Sequence, residues 1–304
     1  MKRLKHLDIE SIDVVHSWDY LPGVYAHLRK CNPSIRIVQD VPIALPETLS
    51  KIRDVRALFR REKLRSDAIV LNALKMADQI LVPSSFVRDS IRETGIITKK
   101  ISLVPFGVDA ELFKPLTNKP SKPFRVAFCG AINNRKGATY LLEAWKAMAL
   151  DAELHLYGRV YPEVKKILKS ASPSVIVHGH VDIVNELPKN HIFVLPSLME
   201  GSAKSIYEAM ACGLPVITTP NSGSVVRNGR EGFIVPACET QALASAIKKL
   251  TREKNLRVEM SLRARRRAEQ YTWKRYGEKV LLLYKKPANR DACTKKSINR
   301  RYAK

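Results

Sequence analysis

Residues 191–220 read HIFVLPSLMEGSAKSIYEAMACGLPVITTP, and the order of residue types in this stretch decides the fold. Ile192 to Leu195 is a short apolar run ended by Pro196, which has no N–H to donate to a strand ladder. A loop follows, and then a helix expected to start at Ser202, a residue type whose side-chain oxygen caps the first free amides. Ile206, Ala209 and Met210 recur at helical spacing and form a buried stripe. Gly213 stands where helices end in a left-handed residue, and Leu214 to Thr219 reads as a second buried strand. Strand, loop, helix and strand in this order predict a parallel α/β sheet.

The chemistry of the stretch lies in Glu200, before the helix, and Glu208, inside it. The first turn of a helix points unpaired N–H groups and the positive end of its dipole at whatever docks there, which suits phosphate. Glu208 would lie about one and a half turns in, within reach of hydroxyls on a docked group. Glu200, on the loop, reaches further out. A sugar nucleotide, with phosphates at its centre and hydroxyl-rich rings on either side, fits that arrangement.

The motif Glu200-Gly-Ser-Ala-Lys-Ser-Ile-Tyr-Glu208, followed by the rest of EAMACGLPVI, resembles the E-x7-E region of the retaining glycosyltransferases of family 4. That resemblance implies the GT-B fold: two Rossmann-like parallel-sheet domains with the active cleft between them. It further implies that Glu200 contacts the transferred sugar and Glu208 holds the nucleotide ribose. The amides of Gly201, Ser202, Ala203, Lys204 and Ser205 would then hold the diphosphate.

Upstream, Phe124 to Phe128 is a strand running through Cys129 to Gly130 and on to Asn133-Asn134-Arg135-Lys136-Gly137, ahead of a helix at Ala138 to Met148. A glycine-ended strand feeding a helix is a phosphate-cradling geometry, with Gly130 allowing close backbone approach and Arg135 and Lys136 supplying cations. Lys136 matches the "KG" lysine of the resembled family. Ala131 stands where many members carry an arginine, and Arg135 is the candidate to replace it. The turn at Gly179-His180-Val181 is where the resemblance puts the nucleotide base, with His180 and Val181 beside it. Two histidines near one another have no third ligand at useful spacing, so neither a metal nor any other cofactor is expected.

At the other end, Asp13-Val14-Val15-His16 delivers His16 at a strand tip. The resemblance makes His16 a candidate catalytic residue on the acceptor side, although the histidine of many members stands two places later, where this chain has Trp18. Trp18 and Tyr20 are alternatives as an aromatic floor for the acceptor. A complete member begins with a strand and a glycine-rich loop ahead of this step, so the first domain is expected to lack its opening βα units. Either the protein is truncated, or another chain supplies the missing strands, or the fold has adapted.

The domain expectation is an acceptor-side domain over 1–115, a linker over 116–123, a donor-binding domain over 124–272, a crossover helix over 273–286 and a basic disordered tail over 287–304. With 304 residues, 45% hydrophobic, the chain has enough apolar material for two cores. No apolar run approaches the roughly 18 residues of a membrane span, and MKRLKHLDIE lacks the apolar core of a signal peptide. Five scattered cysteines argue against a disulfide frame and for a reducing, cytoplasmic setting.

The formal charge of +24 has two readings: solvated helix faces loaded with Lys and Arg, or an anionic partner. An anionic or lipid-linked acceptor and peripheral association with an anionic membrane are the partners this charge suggests, the basic run Arg53 to Arg65 being one candidate segment. Nucleic acid would rest on charge alone and is not expected. The function expected is transfer of a hexose from a nucleotide-diphospho-sugar to an acceptor with retention; the alternative is a sugar-nucleotide-binding subunit that does not itself catalyse.

Overall fold

The computed structural model describes residues 8–46, 48, 68–96 and 100–285. Within them lie two sheets, both wholly parallel. The first holds β1 (Val14–Ser17), β2 (Arg36–Asp40), β3 (Gln79–Val82) and β4 (Ile101–Leu103), side by side in chain order. Around it lie α1 (Pro22–Cys31), α2 (Ala68–Met76) and α3 (Ser85–Arg92). Ser84 caps α3 by accepting from the Val87 N–H, as its type and position predict.

The second sheet contains β5 (Arg125–Cys129), β6 (Glu153–Tyr157), β7 (Val175–Gly179), β8 (Ile192–Leu195), β9 (Val216–Thr218) and β10 (Gly232–Ile234). Its spatial order is β7-β6-β5-β8-β9-β10. The chain therefore winds outward from β5 in one direction, returns, and winds outward from β8 in the other. Between β5 and β8 the order reverses, and in such sheets the crevice beyond the strand ends at that point is where ligands bind. All four residues of β8 are buried, the unbroken apolar run of a strand covered on both faces. The covering helices are α4 (Ala138–Lys146), α5 (Lys204–Ala211), α6 (Thr240–Arg252) and α7 (Lys254–Ala268).

The last helix among the described residues, α8 (Trp273–Lys285), returns to the first sheet. Val280 and Leu283 pack with Val38, Leu81 and Val104, closing a face that α1 and α2 leave open. The Arg36 guanidinium donates to the Leu283 and Tyr284 carbonyls at 2.7 and 2.6 Å, satisfying C-terminal groups that have no partner inside a helix. Gly107 lies where the chain leaves the first domain, and a Cβ there would sit 2.4 Å from the Trp273 backbone nitrogen. The way out of the first domain and the way back into it are thus packed backbone on backbone.

One expectation needs correction. The helix after Glu200 begins at Lys204, its cap position is Ala203, and no side chain caps it. Ser202 instead shares a hydrogen bond of 2.8 Å with the buried Tyr207 hydroxyl. A buried phenol needs a partner, and that need takes the serine. The basic run Arg53 to Arg65 and the tail 287–304 lie outside the described residues.

Under the second sheet, His191 accepts from the Arg125 N–H through Nδ1 and donates through Nε2 to the Pro120 carbonyl, each at 2.9 Å, and it stacks on Phe124. Burial, reinforced by the charge of Lys119, pushes its pKa down to about 4. An unfolded chain takes up a proton near the ordinary histidine value that the folded chain refuses, so this contribution to stability is present above that value and lost as the pH falls towards 4. The expected result is a thermal midpoint that drops between about pH 7 and about pH 5. His191→Gln should lower the midpoint at neutral pH and flatten the acid slope; an unchanged slope by calorimetry would refute this account.

Candidate active site

Two loops meet at the switch point. The loop after β5 runs through Gly130, Arg135 and Lys136 to Gly137; the loop after β8 runs from Pro196 to Ala203. They touch through backbone: the Leu198 N–H donates to the Arg135 carbonyl at 2.8 Å. Gly137 holds φ at 76°, and a Cβ on it would lie 2.0 Å from the Pro196 carbonyl oxygen. Only glycine supplies both that backbone angle and that clearance.

Between the loops lies a cleft of about 410 Å³ lined by Gly130, Arg135, Lys136, Glu200, the run Gly201 to Ser205, and Glu208. Pro42, Ile43 and Phe106 of the first domain close it from the far side. Lys204 and Ser205 open α5, so their N–H groups have no partner within the helix. The Ser205 hydroxyl is buried and lacks a hydrogen-bond partner, a cost that a bound anion would remove. Glu200 is only 8% exposed, and its carboxylate is held between Arg135 Nη1 at 2.7 Å and Lys136 Nζ at 3.0 Å. Burial holds the Glu208 carboxyl above the usual carboxylate range, against the opposing charges of Lys204 and Lys136.

A second cavity of about 380 Å³ adjoins the first, with Cys129 and Gly130 in the wall of both. Its other walls include Tyr157, Arg159, Tyr161, and the turn Gly179, His180 and Val181. The Arg159 guanidinium lies over the Tyr161 ring, 5.5 Å from its centre, which gives a flat cationic platform. Burial raises the Cys129 thiol to about 12, so it is protonated at neutral pH and is no thiolate nucleophile. Among the described residues, no group of three or more His, Cys, Asp or Glu side chains is placed to hold a metal ion.

A family model described as Glycosyl transferases group 1 matches residues 123–253, and one described as Glycosyltransferase Family 4 matches residues 1–112. The chain belongs to the family 4 glycosyltransferases. It is 26% identical to the alpha-maltose-1-phosphate synthase of Mycolicibacterium smegmatis, a match covering 91% of this chain and 80% of that one. It is 26% identical to the Escherichia coli UDP-Gal:alpha-D-GlcNAc-diphosphoundecaprenol alpha-1,3-galactosyltransferase, over 84% of this chain and 70% of that one. Of several other curated relatives it spans little more than half the length, 52% and 56% in two cases. Among solved structures, Anabaena Alr3699/HepE in complex with UDP-glucose superposes with a TM-score of 0.73 at 19% identity, covering 89% of this chain and 78% of that one. That likeness is one of fold, and the fold is GT-B.

In this family 4 chain, Glu200, Glu208, Gly130, Arg135, Lys136 and the run 201–205 line one cleft, while His180 and Val181 line the adjoining cavity. His16 lines neither. Its Nδ1 meets the Tyr284 hydroxyl at 2.5 Å and its Nε2 lies 3.4 Å from the buried Asp40 carboxylate, so it sits in a polar knot between β1, β2 and α8. Trp18 is 62% exposed. Sequence reasoning missed Pro42, Ile43 and Phe106, and also Tyr157, Arg159 and Tyr161. Tyr157 ends β6 and the others follow the carboxyl ends of parallel strands, and the rule that crevice residues come from those ends would have found Pro42 after β2 and Arg159 after β6.

Proposed function

We propose that this glycosyltransferase moves a hexose from a nucleotide-diphospho-sugar to its acceptor with retention of configuration. The observation that carries the reading is the shared Cys129–Gly130 wall, which joins a cleft of cations and free amides to a flat-walled cavity beside the 179–181 turn. A ligand with a diphosphate in the first and a nucleoside in the second spans both. The solved complex of the similarly folded Anabaena protein with UDP-glucose supports a donor of this class.

In this reading Arg135, Lys136 and the amides opening α5 neutralise the charge that grows on the leaving diphosphate, an electrostatic route that often dominates such transfers. Glu200 turns to the sugar and Glu208 takes the ribose hydroxyls. The cleft holds no dedicated nucleophile among its described residues, with Cys129 protonated, which suits same-face attack assisted by the departing phosphate. Glycosidase chemistry would need two carboxylates flanking one bond, and Glu200 is instead tied to two cations. An anionic or lipid-linked acceptor accords with the +24 charge and with the diphosphoundecaprenol named for the Escherichia coli relative.

A second reading, a sugar-nucleotide-binding subunit completed by another chain, draws on β1, whose outer edge is unpaired among the described residues. One experiment separates the two. Purified protein and Glu208→Ala are titrated with UDP-, GDP- and ADP-sugars by calorimetry, with nucleotide release followed in parallel. Binding with slow release, both weakened about tenfold or more in the variant, is the expected result. Binding without release, even with acceptors added, favours the subunit reading, and no binding refutes both.

A further inference from the structure

The inner face of α8 is fully engaged. Val280 and Leu283 are buried against the first sheet, Tyr284 meets His16, and Arg36 holds the last carbonyls, so the helix is not free to roll about its axis. Its outer face is therefore fixed as well, and that face carries Leu281 and Leu282, 57% and 60% exposed. Around them stand the exposed Lys274, Arg275, Lys279 and Lys285, with Glu278 as the one exposed acid of the helix. The chain then continues from this end of α8 into 286–304, a segment with seven Lys or Arg against one Asp.

We infer that the outer face of α8 is a docking surface for an anionic lipid bilayer. The argument does not depend on the donor site. Two adjacent leucines ringed by cations combine apolar insertion with attraction to anionic headgroups, and stable attachment generally takes two such signals. Charge complementarity selects this occupant: a second copy of a +24 chain would bring like charge against like, and nucleic acid would use the cations but not the leucines.

The test is co-sedimentation of the full chain with vesicles of phosphatidylglycerol and phosphatidylcholine in equal parts, with pure phosphatidylcholine vesicles as the neutral control. The expected result is binding to the first and not the second. Lys274→Gln/Lys285→Gln should weaken it about twenty-five-fold, from roughly fivefold per charge. Leu281→Ser/Leu282→Ser should weaken it about tenfold or more, each leucine burying only part of its surface in the headgroup layer. Val258→Ser/Leu262→Ser serves as the comparison, since these α7 side chains are 50% and 57% exposed but lie elsewhere; it should bind as the parent does. The proposal falls if the anionic vesicles are not bound, if neutral vesicles are bound equally, or if the leucine variant binds undiminished. It falls equally if that variant loses thermal stability as well as binding, which would mean that the chain's own residues cover the leucines.

Discussion

Glu200→Gln is expected to bind free nucleoside diphosphate about tenfold more tightly, a gain of ~1.4 kcal/mol, while transferring sugar about a hundredfold more slowly. The opposite signs follow from where the carboxylate sits. Glu200 satisfies Arg135 at 2.7 Å and Lys136 at 3.0 Å, so it occupies the partners that the proposed diphosphate would need. Binding then exchanges one anion for another, and the net gain is the difference between the two pairings. Glutamine keeps the shape and the hydrogen-bonding capacity but removes the charge, leaving two half-buried cations without an anion. Such cations are costly in the free protein and favour any phosphate that arrives.

The loss of transfer has a separate origin. In the proposed reading the displaced carboxylate then faces the positive charge that develops on the sugar, which an amide would not do. Calorimetry with free nucleoside diphosphate and initial rates with the identified donor test the two halves independently. A variant that loses thermal stability while keeping its affinity and rate would make Glu200 an anchor for Arg135 and nothing more. Raising the salt concentration should narrow the affinity gap between parent and variant, because the effect is one of charge.

The second domain was largely legible because its signals are local. Four apolar residues before Pro196, the helical stripe of Ile206, Ala209 and Met210, and Gly213 at φ 68° each report on a few neighbours in the chain. Glu200 and the cations 135 and 136 were legible as lining one cleft for the same reason, each lying in a loop after a strand, and Glu208 because it sits in the helix that one of those loops feeds. Their pairing was not, because the partners stand 64 and 65 residues apart and only the β5–β8 adjacency brings them together. His16 shows the same limit at greater distance: its neighbour Tyr284 is 268 residues away, and nothing near DVVH announces it. Ser202 fails in another way, its expected capping role lost to a buried phenol on the same helix.

Gly201→Ala should abolish most transfer while leaving the donor half of the site able to bind nucleotide. Gly201 lies at the contact between the domains, where its carbonyl accepts from the Ser84 hydroxyl at 2.5 Å. A Cβ built on it would stand 1.5 Å from the Pro42 carbonyl oxygen and 2.5 Å from the carbonyl carbon, distances that no side-chain adjustment relieves because both atoms are backbone. Nor does the loop have room to back away, since Gly223 is packed behind it so closely that a Cβ there would lie 2.0 Å from the Gly201 oxygen. The first domain must therefore yield, carrying Pro42 and Ile43 away from the cleft they close. A displacement of about 1 Å between reacting groups costs on the order of a hundredfold in rate, so kcat/KM should fall at least that far. Nucleotide affinity should change by less than about threefold, because Arg135, Lys136, Glu208 and the 179–181 turn all belong to the second domain. Small-angle scattering should report a larger radius for the variant than for the parent. Normal transfer by the variant would show that the domains work without this contact. Loss of nucleotide binding together with transfer would instead show that the added methyl group distorts the loop 200–203 itself.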